Sequence, residues 1–162
     1  MTKEALVKAL AAAGNGYVED FYKVKTFEEV AEEQGVSVQD LTAEQDRWES
    51  YGGRIVGCLE VREDLEEWLL NRICDAGEEV GSIWENGFCG CNYGSGEGRA
   101  HWAAGLTVIE EYKDAQENGY AWDEEVEDYV RKSYVGKLEW SEEEDNWVDI
   151  ETGKVVEVGL WA

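Results

Sequence analysis

The acidic residues of this chain are spread along its whole length and interleaved with aromatic ones, so any fold it adopts must separate the two. Residues 1–56 carry 11 acids and 6 bases, residues 57–109 carry 10 and 3, and residues 110–162 carry 17 and 5. The local balance falls from −5 through −7 to −12, for a total of −24. A disordered acidic tail would gather its charge into a block poor in aromatics. Here 8 Trp and 8 Tyr accompany the acids, which predicts an ordered core that carries its charge outside. The length suits one domain spanning 1–162, with a possible subdivision into a helical part, 1–56, and an α+β part, 57–162.

The sign of the charge removes several functions. A protein that binds nucleic acid directly neutralises phosphates with cations, and this chain would be repelled. The same sign opposes adsorption to an anionic membrane. Glu4 and Lys8 interrupt the apolar residues near the N-terminus, so no signal-peptide core is expected. No run approaches the roughly 18 apolar residues of a membrane span. The expected compartment is the cytoplasm, and with it Cys58, Cys74, Cys89 and Cys91 are expected to be thiols.

Capping signals and periodicity predict an α+β fold. A first helix is expected over Lys3–Ala13, stopped by Gly14-Asn15-Gly16. Thr26 with Glu29 forms a capping box for a helix over Phe27–Gln34, which Gly35 ends. Ser37 can cap a further helix toward Ser50. Val61, Leu65, Trp68, Leu69 and Ile73 recur at steps of three and four and predict a helix from Leu59 to Ala76. Asn86-Gly87 is the preferred turn of a central β-hairpin. Gly90–Gly98 reads as a loop, and Arg99–Glu117 as another helix. Asp123 caps an expected helix to Tyr134, with Val126, Tyr129, Val130 and Tyr134 as its apolar stripe. The β-prone runs Lys137–Trp140, Trp147–Ile150 and Val155–Leu160 predict a C-terminal antiparallel meander. The tryptophans are irregularly spaced, and no repeat is expected.

Phe27–Glu44, FEEVAEEQGVSVQDLTAE, resembles the helix-turn-helix pattern. Ala31 is the small residue of the first helix, Gly35 the turn, and Val36 and Leu41 the inward positions. The resemblance implies a helical hairpin whose second helix reads DNA. That helix here carries Gln39, Asp40, Glu44, Asp46 and Glu49 against Arg47, a charge that undermines DNA reading and leaves a structural or protein-docking hairpin.

No motif names a reaction. Cys89-Gly-Cys91 with His101 and Cys74 or Cys58 is at best half of a zinc pattern. A Cys–His101 nucleophile pair is conceivable, but nothing selects the cysteine. Gly94–Arg99 lacks the Lys-Ser/Thr of a phosphate loop. The acidic run Glu142–Asp145 lacks the alternating ligands and central Gly of an EF-hand. Neither a catalytic residue, a metal nor a cofactor is therefore expected.

What remains is the charge. DNA presents a phosphate about every 3.4 Å on each strand. Acids at helical i, i+3 or i+4 spacing lie roughly 4.5–6 Å apart along the axis. The expected helices would thus draw phosphate-like lines with Glu60, Glu63, Asp64, Glu66 and Glu67, and with Asp123, Glu124, Glu125, Glu127 and Asp128. Glu142, Glu143, Glu144 and Asp145 form a third acidic cluster. In size and charge the chain is similar to virus- and plasmid-encoded DNA mimics, among them antirestriction and anti-CRISPR proteins. That similarity implies an inhibitor filling the nucleic-acid channel of a host nuclease or CRISPR effector complex, in the bacterial cytoplasm if phage-encoded. The alternatives are an acidic adaptor or subunit for a basic partner, and a small enzyme using Cys and His101.

Overall fold

A computed structural model describes residues 2–13, 18–39, 55–77, 80–84 and 95–162. The fold is α+β, built from helices and small antiparallel sheets. The chain divides into two compact units, Met1–Ile109 and Glu110–Ala162, with the boundary inside one helix.

In the first unit, α1 (Lys3–Ala13) and the short α2 (Val18–Phe21) lead into β1 (Tyr22–Lys25). Next come α3 (Phe27–Gln34), β2 (Ile55–Val61), α4 (Glu67–Gly77), β3 (Val80–Trp84) and α5 (Ser95–Glu117). The sheet order is β1-β2-β3, antiparallel throughout. Tyr22 pairs with Val61 and Val24 with Leu59, and all four side chains are buried. Alternation along the strand therefore turns one sheet face toward the core, where Val30 and Ala31 of α3, Leu69 and Ile73 of α4, and Val108 and Ile109 of α5 are also buried.

The two ends of α3 show why the local signals worked there. Thr26 Oγ1 accepts from Glu29 N at 3.4 Å, and Thr26 N donates to Glu29 Oε2 at 2.8 Å. Gly35, at φ 65°, takes the left-handed conformation that ends α3, and Val36 N donates back to Ala31 O at 3.0 Å. The expected helix from Ser37 begins at Val38 and Gln39; its remainder, the expected stop at 14–16 and the turn at Asn86-Gly87 lie outside the described residues, as does most of the expected loop, 90–94. Ser95–Gly98, expected in that loop, form the first turn of α5.

Two expected helices are corrected. Leu59–Val61 belong to β2, so no helix runs from Leu59; the chain turns at 63–65 and α4 starts at Glu67. Burial of Leu59 and Val61 on the strand's inner face outweighs the coincidental helical spacing of Val61 and Leu65. The expected helix Asp123–Tyr134 is instead a hairpin followed by a single 3-10 turn, Lys132–Tyr134. A subdivision at 56/57 would cut through β2.

The second unit is a series of antiparallel hairpins, ending in the expected meander. β4 (Tyr120–Asp123) pairs with β5 (Asp128–Arg131), and β6 (Leu138–Ser141) with β7 (Asn146–Asp149). Val155 then bridges to Val148. Val130, Leu138 and Val156 form the core cluster, against which Val126, Tyr134, Trp147 and Val158 pack.

The hairpins are a local repeat, which corrects the expectation of none. Trp122–Val130, WDEEVEDYV, matches Trp140–Val148, WSEEEDNWV, at an offset of 18. Both turns hold a non-glycine residue in the left-handed region at the same place, Glu127 at φ 55° and Asp145 at φ 49°. Four residues before each stands a side chain that caps the turn. Asp123 Oδ1 accepts from Glu125 N at 3.0 Å and Val126 N at 3.2 Å, and Ser141 Oγ accepts from Glu144 N at 3.3 Å. A third turn repeats the scheme without the aromatic pair: Asp149 Oδ1 accepts from Glu151 N and Thr152 N, and Gly153 is left-handed at φ 66°.

Candidate functional site

The structure sorts the candidate acids into those already engaged and those left to solvent. In the first unit Glu29, Glu33, Glu60 and Asp64 meet cations. Glu60, on β2, pairs with Lys25, whose hydrogen bond holds the Glu60 carboxyl below its ordinary range. Lys25 also pairs with Glu33 at 2.8 Å, and its own pKa is pushed up by the hydrogen bonds to Glu33 and Glu60. Lys3 of α1 reaches Glu29 of α3 at 2.8 Å. Asp64 is held below its ordinary range by the Arg62 guanidinium, which also donates to Glu19 O at 3.1 Å. Glu66 Oε2 accepts from Trp68 Nε1 at 2.6 Å. Glu63 and Glu67 are exposed.

The phosphate-like helical line over Glu60–Glu67 is therefore corrected. One of its five acids lies in a strand, three lie in the connection and only Glu67 is helical. The helical line over Asp123–Asp128 is corrected as well, because β4 ends at Asp123 and β5 begins at Asp128. Asp123 is 4% exposed and its Oδ2 accepts from Gly136 N at 2.7 Å, so it is a structural residue with no surface to offer a partner. Asp128 is half-buried, with Oδ1 accepting from Tyr129 N at 2.7 Å.

What the fold does present is two acidic hairpin tips. Glu124, Glu125 and Glu127 project around the β4–β5 turn, and Glu142, Glu143, Glu144 and Asp145 make up the β6–β7 turn. All seven are exposed, and among the described residues none forms an ion pair. The turns are short, capped and closed by a left-handed residue, so the carboxylates are held at the ends of paired strands and not on loose loops. With 17 acids against 5 bases in residues 110–162, the field at these tips is uncompensated within the unit.

The cysteine and histidine candidates are dispersed. Cys74 is half-buried on α4, close enough to Tyr22 to act on it electrostatically; burial first, then Cys74, pushes the Tyr22 phenol up. Cys58 lies on β2 opposite Lys25 and Ser82, and His101 lies within α5. Cys89 and Cys91 lie outside the described residues. Among the described residues no group of three or more His, Cys, Asp or Glu is placed to hold a metal ion.

Two features were not anticipated. One is a cleft of about 400 Å³ in the first unit, lined in part by Lys3, Lys23, Lys25, Arg62, Glu29 and Glu33. Its only sequence signal was the alternation Lys23-Val24-Lys25, which sends both lysines to one strand face. The other is the aromatic pair beside each tip, legible only once the 18-residue offset is seen.

No protein-family model matches the chain, and comparison with curated proteins and with solved structures gives no match. Among the described residues no helix is long and apolar enough to cross a membrane.

Proposed function

We propose that the chain is a stoichiometric inhibitor that places acidic hairpin tips in the nucleic-acid channel of a basic protein, a nuclease or CRISPR effector complex of the kind that antirestriction and anti-CRISPR proteins block. The observation that carries this reading is the pair of repeated turns, whose seven exposed carboxylates have no cationic partner among the described residues. Carboxylates carried on a capped turn and left unneutralised present to a cationic channel what phosphates present. The mimicry passes from helices, where the sequence placed it, to hairpin ends. Attraction of this kind is steered over about 8 Å at physiological salt and weakens as salt rises.

The test is capture by the tagged chain from bacterial lysate, with mass spectrometry of what a salt gradient releases. A nuclease or effector complex that duplex DNA displaces, and that a chain with Glu124, Glu125, Glu127, Glu142, Glu143 and Glu144 changed to Gln and Asp145 changed to Asn fails to capture, supports the proposal. A partner that DNA does not displace points to the second reading, an acidic adaptor for a basic protein. That reading draws on the exposed Trp140 and Trp161, which offer docking area that charge alone lacks.

A further inference from the structure

The two hairpins of the second unit carry aromatic pairs at equivalent cross-strand positions, but they use them differently. Trp122 and Tyr129 meet edge to face across β4–β5, with ring centroids 5.3 Å apart and planes at 82°. Trp140 and Trp147 do the same across β6–β7, at 5.6 Å and 79°. In the first pair Tyr129 is 2% exposed and Trp122 is half-buried. In the second, Trp147 packs against the Val130, Leu138 and Val156 cluster, whereas Trp140 keeps 51% of its surface exposed. By alternation Trp140 stands on the same strand face as Leu138 and opposite Trp147, and its indole extends beyond the core cluster into the open. Ser141 follows Trp140, and then come the four carboxylates of Glu142–Asp145, none in an ion pair among the described residues. An accessible π-surface thus adjoins an uncompensated acidic turn.

We propose that the exposed Trp140 indole and the adjoining turn dock an arginine-bearing segment of the basic partner, with the guanidinium stacked on Trp140 and hydrogen-bonded to carboxylates of the β6–β7 turn. Charge complementarity selects the occupant. A nucleic acid would meet four like charges, and an apolar segment would strip water from carboxylates without pairing them. Between the two basic side chains, guanidinium fits better: it is planar, weakly hydrated, stacks on indole and offers several N–H donors at once. Lysine brings a compact, strongly hydrated charge that the turn attracts but the indole discriminates little. The first hairpin, its aromatic pair turned inward, contributes charge alone. The second therefore anchors the complex while both steer it. This inference rests on the proposed reading that the partner is a basic protein, and adds the side chain that is recognised.

The experiment uses the whole chain and two probes, hexa-arginine and hexa-lysine peptides, titrated calorimetrically at low and moderate salt. Hexa-arginine is expected to bind about fivefold more tightly than hexa-lysine, the scale of one exposed cation–π contact. Trp140→Leu should abolish that preference and leave hexa-lysine within about twofold of its original affinity. Trp140→Phe, which keeps a π-face, should retain part of the preference, and Trp161→Leu all of it. Equal binding of the two peptides, or a preference that survives Trp140→Leu, overturns the arginine anchor while salt-sensitive binding of both peptides leaves the acidic docking reading standing. Failure of both peptides to bind at low salt overturns both.

Discussion

The Asp123 carboxylate reaches 13 residues along the chain to the backbone N–H of Gly136, at 2.7 Å. Its other oxygen accepts from Glu125 N and Val126 N, so one buried side chain ties the first acidic turn to the segment entering β6. The most buried acid of the predicted binding set thus builds the surface that its neighbours present.

Asp123→Ala is expected to destabilise the second unit by about 2–4 kcal/mol, because three backbone donors lose their acceptor, the N–H of Gly136 13 residues away among them. Glu124→Gln and Glu125→Gln should each stay within about 0.5 kcal/mol of the original chain, as surface changes do. Chemical denaturation followed by tryptophan fluorescence separates the two cases. Equal effects at positions 123 and 124 would show that Asp123 does not organise the turn.

The left-handed positions give a graded prediction. Glu127→Gly is expected to stabilise by about 0.5–1 kcal/mol, since a longer side chain at positive φ is strained and glycine is not. Asp145→Gly should gain less, because aspartate tolerates that conformation better than glutamate. The third turn already has Gly153 there. Thermal melts of the two single variants test the order.

Gly105 sits in α5 where a Cβ would collide with the Tyr22 hydroxyl and lie 3.7 Å from Ile73 Cγ2. In an exposed helix Gly→Ala gains up to about 1 kcal/mol from propensity. Here Tyr22 is 7% exposed and cannot swing clear, so Gly105→Ala is expected to cost about 1–3 kcal/mol through overpacking. The double variant Tyr22→Phe with Gly105→Ala should recover part of that loss, because it removes the colliding oxygen. Urea midpoints of the three variants decide it.

Asp149 supplies a pH dependence with a definite sign. Hydrogen bonds from the Thr152 backbone, then from the Thr152 hydroxyl and the Glu151 backbone, hold its carboxyl below the ordinary range. A depressed folded-state pKa contributes stability that is fully present above the unfolded value, near about pH 4, and is lost as pH falls through the folded value. Asp149→Asn should therefore melt below the original chain at pH 7, and the gap should close in strongly acid solution. Melting temperatures measured from pH 7 to pH 2 would refute this if the gap stayed constant.

The parts of the fold that were legible in the sequence are those where a local signal has one structural meaning. The Thr26–Glu29 box and Gly35 mark the two ends of α3, and both formed as read. Asp123 shows the opposite case. Its hydrogen bonds to the N–H groups two and three residues on are those of a helix cap, and they are present. The same bonds close a tight turn, and the left-handed Glu127 sends the chain back as a strand instead of onward as a helix. Tyr129 and Val130 satisfied a helical stripe by spacing alone, while cross-strand partners Trp122 and Ala121 decided the outcome. β1 was missed because four residues give too short an alternation to register, and its pairing with β2 is contributed from distant sequence. At the candidate site, acid identity and clustering were legible. Which acids were already spent on Lys3, Lys25 and Arg62 depended on tertiary contacts.

The successive hairpins also set an order of events during folding. Each closes a short loop: Asp123 meets Asp128, and Ser141 meets Asn146. The first unit must instead bring Tyr22 to Val61 before its sheet exists, and Tyr22 to Gly105 before its core closes. Loop-closure entropy and contact order favour the short loops, with hairpins forming in roughly microseconds. In refolding of the whole chain, the acidic tips are expected to take shape ahead of the sheet that precedes them in sequence.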